Sequence, residues 1–429
     1  MFQPDQISRV VHANARLAEE IFSTLEAGSR DEPGLTRDTY GAGENFAHGV
    51  LADYGKKLNL ELKRDAAANT YLTLRGKNPH AKKIIIGSHL DSVPHGGNYD
   101  GAAGVVAGLV SVAALKQLGL EPECDVTVMA VRAEESVWFE VSYIGSRSAL
   151  ATLPPDALEA KRIDTGRTLA QHLVECGGDP EAVRRGESAI QPDKVRAFIE
   201  VHIEQAPSLV NAGVPVAICS GIPGNFRYPN VRVEGEYAHV GQPRRFRHDA
   251  VIAASEFAVA LDRLWQEYED AGQPMACTLG RFHTNAAAHH LTKVAGELDF
   301  SLDVRGYDEK QLADVERRVL AIIADIERAR GVKFHMGRRA SAPVGQIDPG
   351  IRKTFERGAG VLRIATMPLG SPASHDAAAF ADAKVPTGML FVRNENGSHN
   401  PNEAMAIDDF MQAATLLTWW VTDTCCSSR

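Results

Sequence analysis

The stretch of sequence that decides the fold is Gly87–Gly101, GSHLDSVPHGGNYDG. Three β-branched residues, Ile84–Ile86, precede it, and a run of small and apolar residues follows it. This pattern predicts a buried strand, a polar loop, and a helix that begins at Asp100. Ligands bind at the carboxyl ends of strands in open α/β sheets, so the loop is a candidate site. His89 and Asp100 are metal-ligand types, and Asp91 could orient His89, although an ordinary Asp-capped loop explains the same residues.

The composition is that of an ordinary globular protein. The chain has 429 residues, of which 44% are hydrophobic and 24% charged, which is enough for two or three domains. Its net charge of −9 and the absence of a basic stripe argue against nucleic acid as a partner. No apolar run reaches the length of a membrane span, and Ile7–Leu25 is predicted to form an amphipathic helix instead.

The cysteines indicate a reducing environment. The six residues, at positions 124, 176, 219, 277, 425 and 426, contain no C-x-x-C pair and are too few for a disulfide scaffold. We therefore expect four buried thiols, two thiols in a loose tail, and a cytoplasmic location.

Strands and helices alternate on both sides of a segment with a different pattern. Val126–Val131 and Ala197–His202 are further predicted strands, and Gly104–Gln117 and Ser146–Leu153 are predicted helices. This alternation indicates an α/β fold with a mostly parallel, helix-covered sheet. The α/β pattern returns after Met336, with helices predicted over Pro349–Gly358 and Ala404–Cys425 and strands over Arg363–Met367 and Thr387–Val392.

The intervening segment has the order βαββαβ, the ferredoxin-like signature. Its predicted elements are Pro229–Tyr237, Asp249–Asp270, Pro274–Phe282, Val294–Arg305, Glu309–Arg330 and Val332–Met336. One domain is therefore interrupted by another. We predict a first catalytic part over residues 1–220, an inserted domain over 221–332, and a second catalytic part over 333–429.

Three further clusters place acidic residues and histidines near strand ends. Glu134 and Glu135 follow a strand, although a solvated acidic loop would have the same sequence. Glu200, His202 and Glu204 would line one face of a strand, which indicates either a cation or the wet face of an edge strand. A turn-rich segment, 396–403, contains His399, which by itself is typical of an exposed loop histidine.

Together the clusters predict a dinuclear metal site. Its five nitrogen and oxygen ligands would be His89, Asp100, Glu135, His202 and His399. Such a set, without cysteine, suits two divalent ions, Zn²⁺ or Mn²⁺, with Co²⁺ or Ni²⁺ also accepted. Asp100 is the natural bridge between two ions that lie about 3.5–4 Å apart. Glu134, beside a ligand, is the natural general base for a bridging water.

This set closely resembles the M20 metallopeptidase–amidohydrolase family, over nearly the whole chain. Within the family it is most similar to the branch of N-carbamoyl-L-amino-acid amidohydrolases, allantoate amidohydrolases and β-ureidopropionases. The motifs that carry the resemblance are Gly87–Asp91, Gly96–Gly101, Glu134–Glu135, His202–Gln205, Ser374–Asp376 and Ser398–Pro401.

The resemblance implies the same five ligands and the same base. It also implies that the inserted domain is a lid and a dimerisation module, and that Gln205, His239 and Arg305 contact substrate or the transition state. From the residues alone, His239 could be a plain loop histidine and Arg305 an exposed residue at a strand end. We assign His375 to the substrate cleft, at the start of a helix, because three adjacent residues, Ser374–Asp376, cannot form a serine triad.

Several positions depart from the family pattern. The usual Gly-Ser-Arg-Phe after the glutamate pair is here Ser136–Phe139, so Trp138 either reshapes the pocket wall or belongs to the core. The usual His-Ala-Gly is His239–Gly241, with Val240 in the middle. The usual Asn-Ala-Val-Asn falls on His289–Thr292, so His289 replaces an asparagine expected to hold substrate, or that contact is lost.

The predicted activity is metal-dependent hydrolysis of a carbamoyl, ureido or amide C–N bond in a small carboxylate-bearing substrate. An N-carbamoyl amino acid or related ureido acid is the expected substrate class, and we expect a homodimer without nucleic-acid or membrane partners. The alternatives are an N-acyl amino acid amidase, a dipeptidase or another catabolic amide hydrolase on the same scaffold. A non-catalytic binding protein would be expected to have a broken ligand set, and this set is complete.

Overall fold

The structure is a computed structural model that describes residues 3–426. It contains two compact units, which we call the large unit and the inserted unit. The large unit comprises the residues up to Ile222 and those from Gln346 onward, and the inserted unit is Pro223–Gly345. Within residues 3–426, no helix combines the length and the apolar character that crossing a membrane requires.

The helices are bounded as follows: Pro4–His12 (α1), Ala15–Ser29 (α2), Ala42–Lys57 (α3), Ala102–Gln117 (α4), Ile144–Ala149 (α5), Leu169–Glu175 (α6), Pro180–Arg184 (α7), Ser208–Ala212 (α8), Ala250–Asp270 (α9), Glu309–Arg330 (α10), Pro349–Leu362 (α11), Asp376–Asp382 (α12) and Ile407–Val421 (α13). Short 3-10 turns cover Pro155–Glu159, Pro192–Lys194 and Arg244–Phe246, and a π-helical turn, Thr422–Cys426, extends α13.

The strands are bounded as follows: Arg30–Asp31 (β1), Gly34–Leu35 (β2), Glu61–Arg64 (β3), Thr70–Leu74 (β4), Lys83–His89 (β5), Val126–Val131 (β6), Val195–Ile203 (β7), Val216–Gly221 (β8), Gly224–Glu234 (β9), Ala238–His239 (β10), Met275–Thr278 (β11), Phe282–Thr284 (β12), Lys293–Val294 (β13), Glu297–Gly306 (β14), Lys333–His335 (β15), Ala340–Ala342 (β16), Thr366–Gly370 (β17) and Thr387–Val392 (β18).

The large unit is built on an eight-stranded mixed sheet of order β17-β8-β18-β7-β5-β6-β4-β3. The four central strands, β18, β7, β5 and β6, are mutually parallel, and β4 and β3 continue the sheet in antiparallel pairs. Helices cover the central strands, which are buried and mainly apolar. The predicted α/β class with a mostly parallel, helix-covered sheet is confirmed.

Helix α4, which follows the loop after β5, packs closely on the sheet. The residues of α4 from Ala102 to Leu115 are all buried, and small side chains allow this. A Cβ atom on Gly104 would lie 2.2 Å from the carbonyl oxygen of Val201, so only glycine fits there. The helix begins after Gly101, whose φ of 66° is the left-handed conformation that glycine favours. This tight turn brings the chain from β5 directly back over the sheet.

The inserted unit is an antiparallel sheet with two helices, α9 and α10, in the order βαββαβ. The central strands β9 and β14 pair along most of their length. Leu298, Phe300, Leu302 and Val304 alternate along β14 as predicted and are buried against the helices. The unit extends to Gly345, beyond the predicted end at residue 332, because β16 adds a further pairing to β9.

Two sequence predictions about the chain ends are wrong. The single helix expected over Ile7–Leu25 is broken into α1 and α2 at Asn14, whose side-chain amide donates to the carbonyl of Val10 and to Gln117. The tail expected at the last cysteines is packed: Cys425 is buried and forms a disulfide with Cys124. The amide of Glu123 also donates to the carbonyl of Cys425, at 2.7 Å, which holds the π turn on the large unit.

Some element bounds also differ from the predictions. The strand expected over Pro274–Phe282 is split into β11 and β12, and the helix expected over Ser146–Leu153 is the earlier and shorter α5. The strand expected at Arg363–Met367 starts at Thr366, because Arg363 adopts a left-handed conformation, with φ of 59°, that ends α11.

Candidate metal centre

The polar clusters meet at the carboxyl ends of the four parallel strands of the large unit. His89 is the last residue of β5, and Glu134 and Glu135 follow β6. His202 lies near the end of β7, and the loop after β18 carries His399. Parallel strands end at the same edge of a sheet, so residues more than 300 positions apart in the sequence come together here.

A first group of three side chains converges beside α4. The Nε2 atoms of His89 and His202 lie 3.3 and 3.1 Å from the same oxygen, Oδ1 of Asp100. The two Nε2 atoms are 3.4 Å from each other. All three side chains are buried, and their ligand atoms lie within 4.8 Å of one another, as metal ligands do.

A second group shares Asp100 with the first. The other oxygen, Oδ2 of Asp100, lies 3.4 Å from Nε2 of His399, and Oε1 of Glu135 lies 3.2 Å from that same nitrogen. These atoms are also within 4.8 Å of one another. The five side chains predicted as ligands thus form two adjacent groups of three, with Asp100 common to both.

The donor set fits divalent cations. Oδ1 of Asp100 is buried without a hydrogen bond, although two imidazole nitrogens face it. The ion-pair hydrogen bonds to Asp100 and Glu135 raise the pKa of His399 to about 11. Burial lowers the pKa of His89, but the bonds to Asp100 and Asp91 outweigh it, so that pKa is also raised. The negative charge that attracts these protons would equally attract metal ions, for which nitrogen and oxygen ligands suit zinc or manganese.

The histidine tautomers favour the same interpretation. The Nδ1 atom of His89 lies 3.0 Å from the carbonyl oxygen of Asp91, and Nδ1 of His202 lies 2.9 Å from that of Ile203. A carbonyl can only accept, so each Nδ1 carries the proton. The other nitrogen of each ring, Nε2, faces Asp100 and would be the atom that binds a metal ion once its proton is displaced, which is the orientation that metal-binding histidines adopt.

Asp91 holds the glutamate pair in place. Its two carboxylate oxygens accept hydrogen bonds from the backbone amides of Glu134 and Glu135, at 3.0 and 3.1 Å. The hydroxyl of Thr39 donates to it as well, at 2.6 Å. Asp91 therefore orients His89 through its carbonyl and the base candidate through its carboxylate.

The buried Glu134 carboxyl has the properties of a proton acceptor. Burial raises its pKa well above the usual value, and the positive charge of His89 opposes this while the neighbouring Glu135 adds to it. A general base works best when its pKa lies near the working pH, so an upward shift suits the predicted role.

The three polar residues predicted on one face of β7 have different surroundings. Only His202 joins the ligand groups. Glu200 accepts hydrogen bonds from Ser88 and from the amide of Ala377, each at 2.8 Å. Glu204 accepts from the first two amides of α8, at 2.9 and 2.7 Å. The edge-strand alternative is wrong, because β7 lies between β18 and β5 and its end is fully buried.

Two predicted substrate contacts lie beside the ligands. The amide nitrogen of Gln205 donates to Oδ2 of Asp100 at 2.8 Å. His375 is buried as the N-cap of α12, with its ring centroid 4.4 Å from that of His202 and its Nε2 2.8 Å from the hydroxyl of Ser371. Burial lowers the pKa of His375 well below its usual value, and His202 lowers it further. This ring is therefore neutral and packs against a candidate ligand.

The other predicted contacts lie on the inserted unit. His239 is in the short strand β10, and its Nδ1 accepts from the amide of Gly241 at 3.1 Å, which leaves Nε2 as a donor. His289 is exposed, with Nδ1 2.7 Å from the hydroxyl of Thr284. Arg305 forms a two-fold ion pair with Asp303, at 3.2 and 3.3 Å.

Trp138 belongs to the core. Its ring packs with the buried side chains around Phe139, and its indole nitrogen donates to the carbonyl of Ser92 at 2.9 Å. The guanidinium of Arg162 lies over the ring, 4.7 Å from its centroid. Of the two sequence interpretations of this departure, the core is the one that the structure supports.

Sequence reasoning missed four buried charged residues that support the site. Arg37 is fully buried and donates to the carbonyl of Leu90, at 2.7 Å, and to Asn98, at 3.1 Å. The other three are Glu44 and Arg132, which form a buried ion pair, and Glu403 near the ligand loops. Their partners are distant in sequence, so no local pattern could have identified them.

Comparisons with known proteins agree with this geometry. The chain is 32% identical over 406 residues to an N-carbamoyl-L-amino acid amidohydrolase of Geobacillus stearothermophilus, covering 94% of this chain and 96% of that protein. It is 29% identical to a probable allantoate deiminase of Oryza sativa subsp. japonica, covering 86% of this chain and 80% of that protein. The crystal structure of a hydantoinase/carbamoylase family amidase from Burkholderia ambifaria has a TM-score of 0.83 at 26% identity, covering 97% and 98% of the two chains.

The family model for Peptidase family M20/M25/M40 matches residues 85–422, a range that includes all five candidate ligands. The resemblance drawn from the motifs is confirmed by this match and by the relatives. The chain therefore belongs to Peptidase family M20/M25/M40.

Proposed function

We propose that this chain hydrolyses the C–N bond of a ureido acid, most simply an N-carbamoyl amino acid, with two divalent ions held in the large unit. The observation that carries the proposal is the pair of three-residue groups that share Asp100, with Glu134 directly beside them. The names of the relatives support the reaction class, because they are amidohydrolases and deiminases of small ureido compounds.

His89, Asp100 and His202 would hold one ion, and Asp100, Glu135 and His399 the other. Bound ions would acidify a water molecule and polarise the carbonyl group of the substrate. Glu134 accepts the proton of the attacking water and passes it to the leaving nitrogen. Burial raises the pKa of its carboxyl, which favours acceptance of a proton from water.

The remaining predicted residues would hold the substrate. Gln205 lies beside the ligands, and His239 offers an Nε2 proton to a developing oxyanion. Arg305 would hold a substrate carboxylate through its two-pronged guanidinium, and His289 and His375 are assigned to substrate binding as well. We also propose a homodimer through the inserted unit and a cytoplasmic location.

The primary test is turnover of N-carbamoyl, ureido and N-acyl amino acids by metal-stripped protein, before and after Zn²⁺ or Mn²⁺ is restored. Metal-restored release of ammonia from ureido substrates supports the proposal. If restored metal supports activity on N-acyl compounds alone, the result favours the amidase or dipeptidase alternative. If the protein binds no metal, the proposed function is wrong.

The role of Glu134 is tested by Glu134→Gln. The amide cannot accept the proton of water, so we expect kcat to fall at least about a hundredfold, the usual contribution of general base catalysis. Metal stoichiometry, measured in parallel, should remain at the wild-type value. Near-normal turnover would remove Glu134 from the mechanism.

The role of Arg305 is tested by Arg305→Ala, with Arg227→Ala as the matched control. Both arginines form an ion pair with Asp303, at 3.2 and 2.9 Å respectively. Arg305→Ala should raise KM chiefly for substrates with a carboxylate, and Arg227→Ala should not. An equal loss on uncharged amides would contradict carboxylate binding by Arg305.

A further inference from the structure

A buried glutamate outside the ligand set lies between the two loops that carry Asp100 and His399. Glu403 is 8% exposed and follows His399 by four residues. One of its carboxylate oxygens accepts hydrogen bonds from the backbone amides of Tyr99 and Asp100, at 2.7 and 3.2 Å. Its other oxygen accepts from the hydroxyl of Ser398, at 2.7 Å. One carboxylate thus connects two loops about 300 residues apart in sequence.

The contacts on both sides of Glu403 are close. The hydroxyl oxygen of Ser398 also lies within hydrogen-bonding distance of Oδ2 of Asp100, the oxygen that faces His399, so the one hydroxyl proton is shared between two carboxylates. A Cβ atom on Gly97 would lie 2.3 Å from the side chain of Glu403, so the first loop passes directly over it. Any movement of the Glu403 side chain must therefore move the Asp100 loop, the His399 loop, or both.

Burying the Glu403 carboxylate is energetically unfavourable, which indicates that this carboxylate has a structural role. The carboxylate of Glu403 is almost fully removed from water, and it shares the Ser398 hydroxyl with the carboxylate of Asp100. The three hydrogen bonds to Tyr99, Asp100 and Ser398 offset part of that cost. An apolar side chain would fill the same space without the energetic cost of burying a charge, but it could not fix the backbone of Asp100 relative to Ser398.

We propose that Glu403 is a positioning residue that sets the distance between Asp100 and His399 and thereby makes the second metal site. This inference rests on the proposed metal centre. Glu403 does not touch the ligand atoms of His399 or Glu135 in any described hydrogen bond. It acts through the backbone of residues 99 and 100 and through the hydroxyl of Ser398.

The test compares Glu403→Ala and Glu403→Gln with Asp409→Asn. Asp409 is an equally buried carboxylate of the large unit, but its partner is Arg393, at 2.7 and 3.1 Å. Metal binding is measured by competition with a chromophoric chelator, and site geometry by the visible absorption spectrum of the Co²⁺-loaded protein. Hydrogen exchange of the amides of Tyr99 and Asp100 is followed in the metal-free protein.

We expect Glu403→Ala to weaken binding of one of the two ions by about ten- to a hundredfold, the usual effect of losing a group that orients ligands. The Co²⁺ spectrum should change, and the two amides should exchange faster. Glu403→Gln keeps one oxygen for the amides but loses the acceptor for Ser398, so its effect should be smaller. Asp409→Asn should lower the melting temperature without changing the spectrum.

The inference is overturned if Glu403→Ala and Glu403→Gln both keep the wild-type metal affinity and Co²⁺ spectrum. Ser398→Ala removes only the hydroxyl and provides the same measurement if the alanine variant at 403 does not fold. If the wild-type protein binds two ions and these variants bind them equally well, only the role of Glu403 is wrong. If the wild-type protein binds none, the proposed function is wrong together with it.

Discussion

The buried ion pair between Glu44 and Arg132 allows a direct test of how the loop that carries Glu134 and Glu135 is supported. The two side chains are 0% and 1% exposed, and their charged atoms are 2.9 Å apart. Glu44 also accepts hydrogen bonds from the amides of Tyr40 and Ala133, at 2.7 and 2.9 Å. Ala133 has a φ of 57°, a left-handed conformation that costs energy for a residue with a Cβ atom, and it directly precedes Glu134. Glu44 therefore holds a strained turn next to the candidate base.

Replacing Glu44 by alanine leaves the guanidinium of Arg132 buried without its counter-charge. Removing one partner of a buried pair costs about 3–5 kcal/mol. The large unit has roughly 300 residues, so its unfolding entropy of about 2.1 cal/mol/K per residue amounts to about 0.6 kcal/mol per degree. We therefore expect Glu44→Ala to lower the melting temperature of the large unit by about 5–8 °C.

The assay is thermal unfolding of the metal-free protein, followed by tryptophan fluorescence. Asp53→Ala is the matched control, because Asp53 lies on the same helix, α3, and pairs with Lys56 in solvent at 2.8 Å. It should leave the melting temperature unchanged. The double variant Glu44→Leu with Arg132→Met removes both charges, so it should be less destabilised than the sum of the two single variants. Strictly additive single variants would refute the coupling of this pair.

The same pair should affect catalysis separately from stability. Glu44→Gln keeps the side-chain shape and one oxygen, but it can no longer accept from both Ala133 and Arg132. We expect kcat to fall while KM and metal affinity stay near the wild-type values, because Ala133 moves Glu134 and none of the ligands. A fall in metal affinity equal to the fall in kcat would contradict this assignment.

Two further predictions concern the surroundings of the site. Trp138→Phe removes the indole N–H that donates to the carbonyl of Ser92, and an unsatisfied buried carbonyl costs about 1–3 kcal/mol. We therefore expect the melting temperature to fall by about 2–5 °C. Phe139→Leu is the control, because it removes only apolar contacts. Burial and the neighbouring carboxylate of Glu200 raise the pKa of Asp376 to about 8 from its usual 3.8. The folded protein therefore favours the protonated carboxyl, whose contribution to the free energy of unfolding is complete below pH 4 and is lost as pH rises to 8. The melting temperature of Asp376→Asn should therefore rise relative to the wild-type protein between pH 5 and pH 8, and a constant difference would show that this carboxyl is not protonated in the folded protein.

The strands that carry ligands could be predicted closely from the sequence. The predicted bounds of β6, β18 and α10 equal the observed ones, because each is a strongly patterned segment with a clear end. The five candidate ligands also come together as predicted, since parallel strands bring their carboxyl ends to one edge. The periodicity that predicts a strand also predicts where the following loop begins, and the candidate ligands lie at the strand end or in that loop.

The supporting charges could not be predicted in the same way. Arg37, Arg132 and Glu403 resemble ordinary surface residues in the sequence, because the partners that justify their burial are 53 to more than 300 residues away. The break between α1 and α2 has a similar cause. Asn14 stops the helix through a bond to Gln117, which no local pattern around residue 14 reveals.

The candidate site residues are divided between the two units of the chain. All five candidate ligands, the base candidate and Gln205 belong to the large unit, whereas His239, His289 and Arg305 belong to the inserted unit. The buried carboxylates of Asp91 and Glu403 accept hydrogen bonds from backbone amides beside the candidate ligands, so we expect metal affinity to depend on the rigidity of the large unit. The inserted unit offers exposed side chains, which suits residues that meet a substrate. Departures from the family pattern at Val240 and His289 both fall in the inserted unit, and for this reason we expect them to change substrate preference and to leave metal binding unaffected.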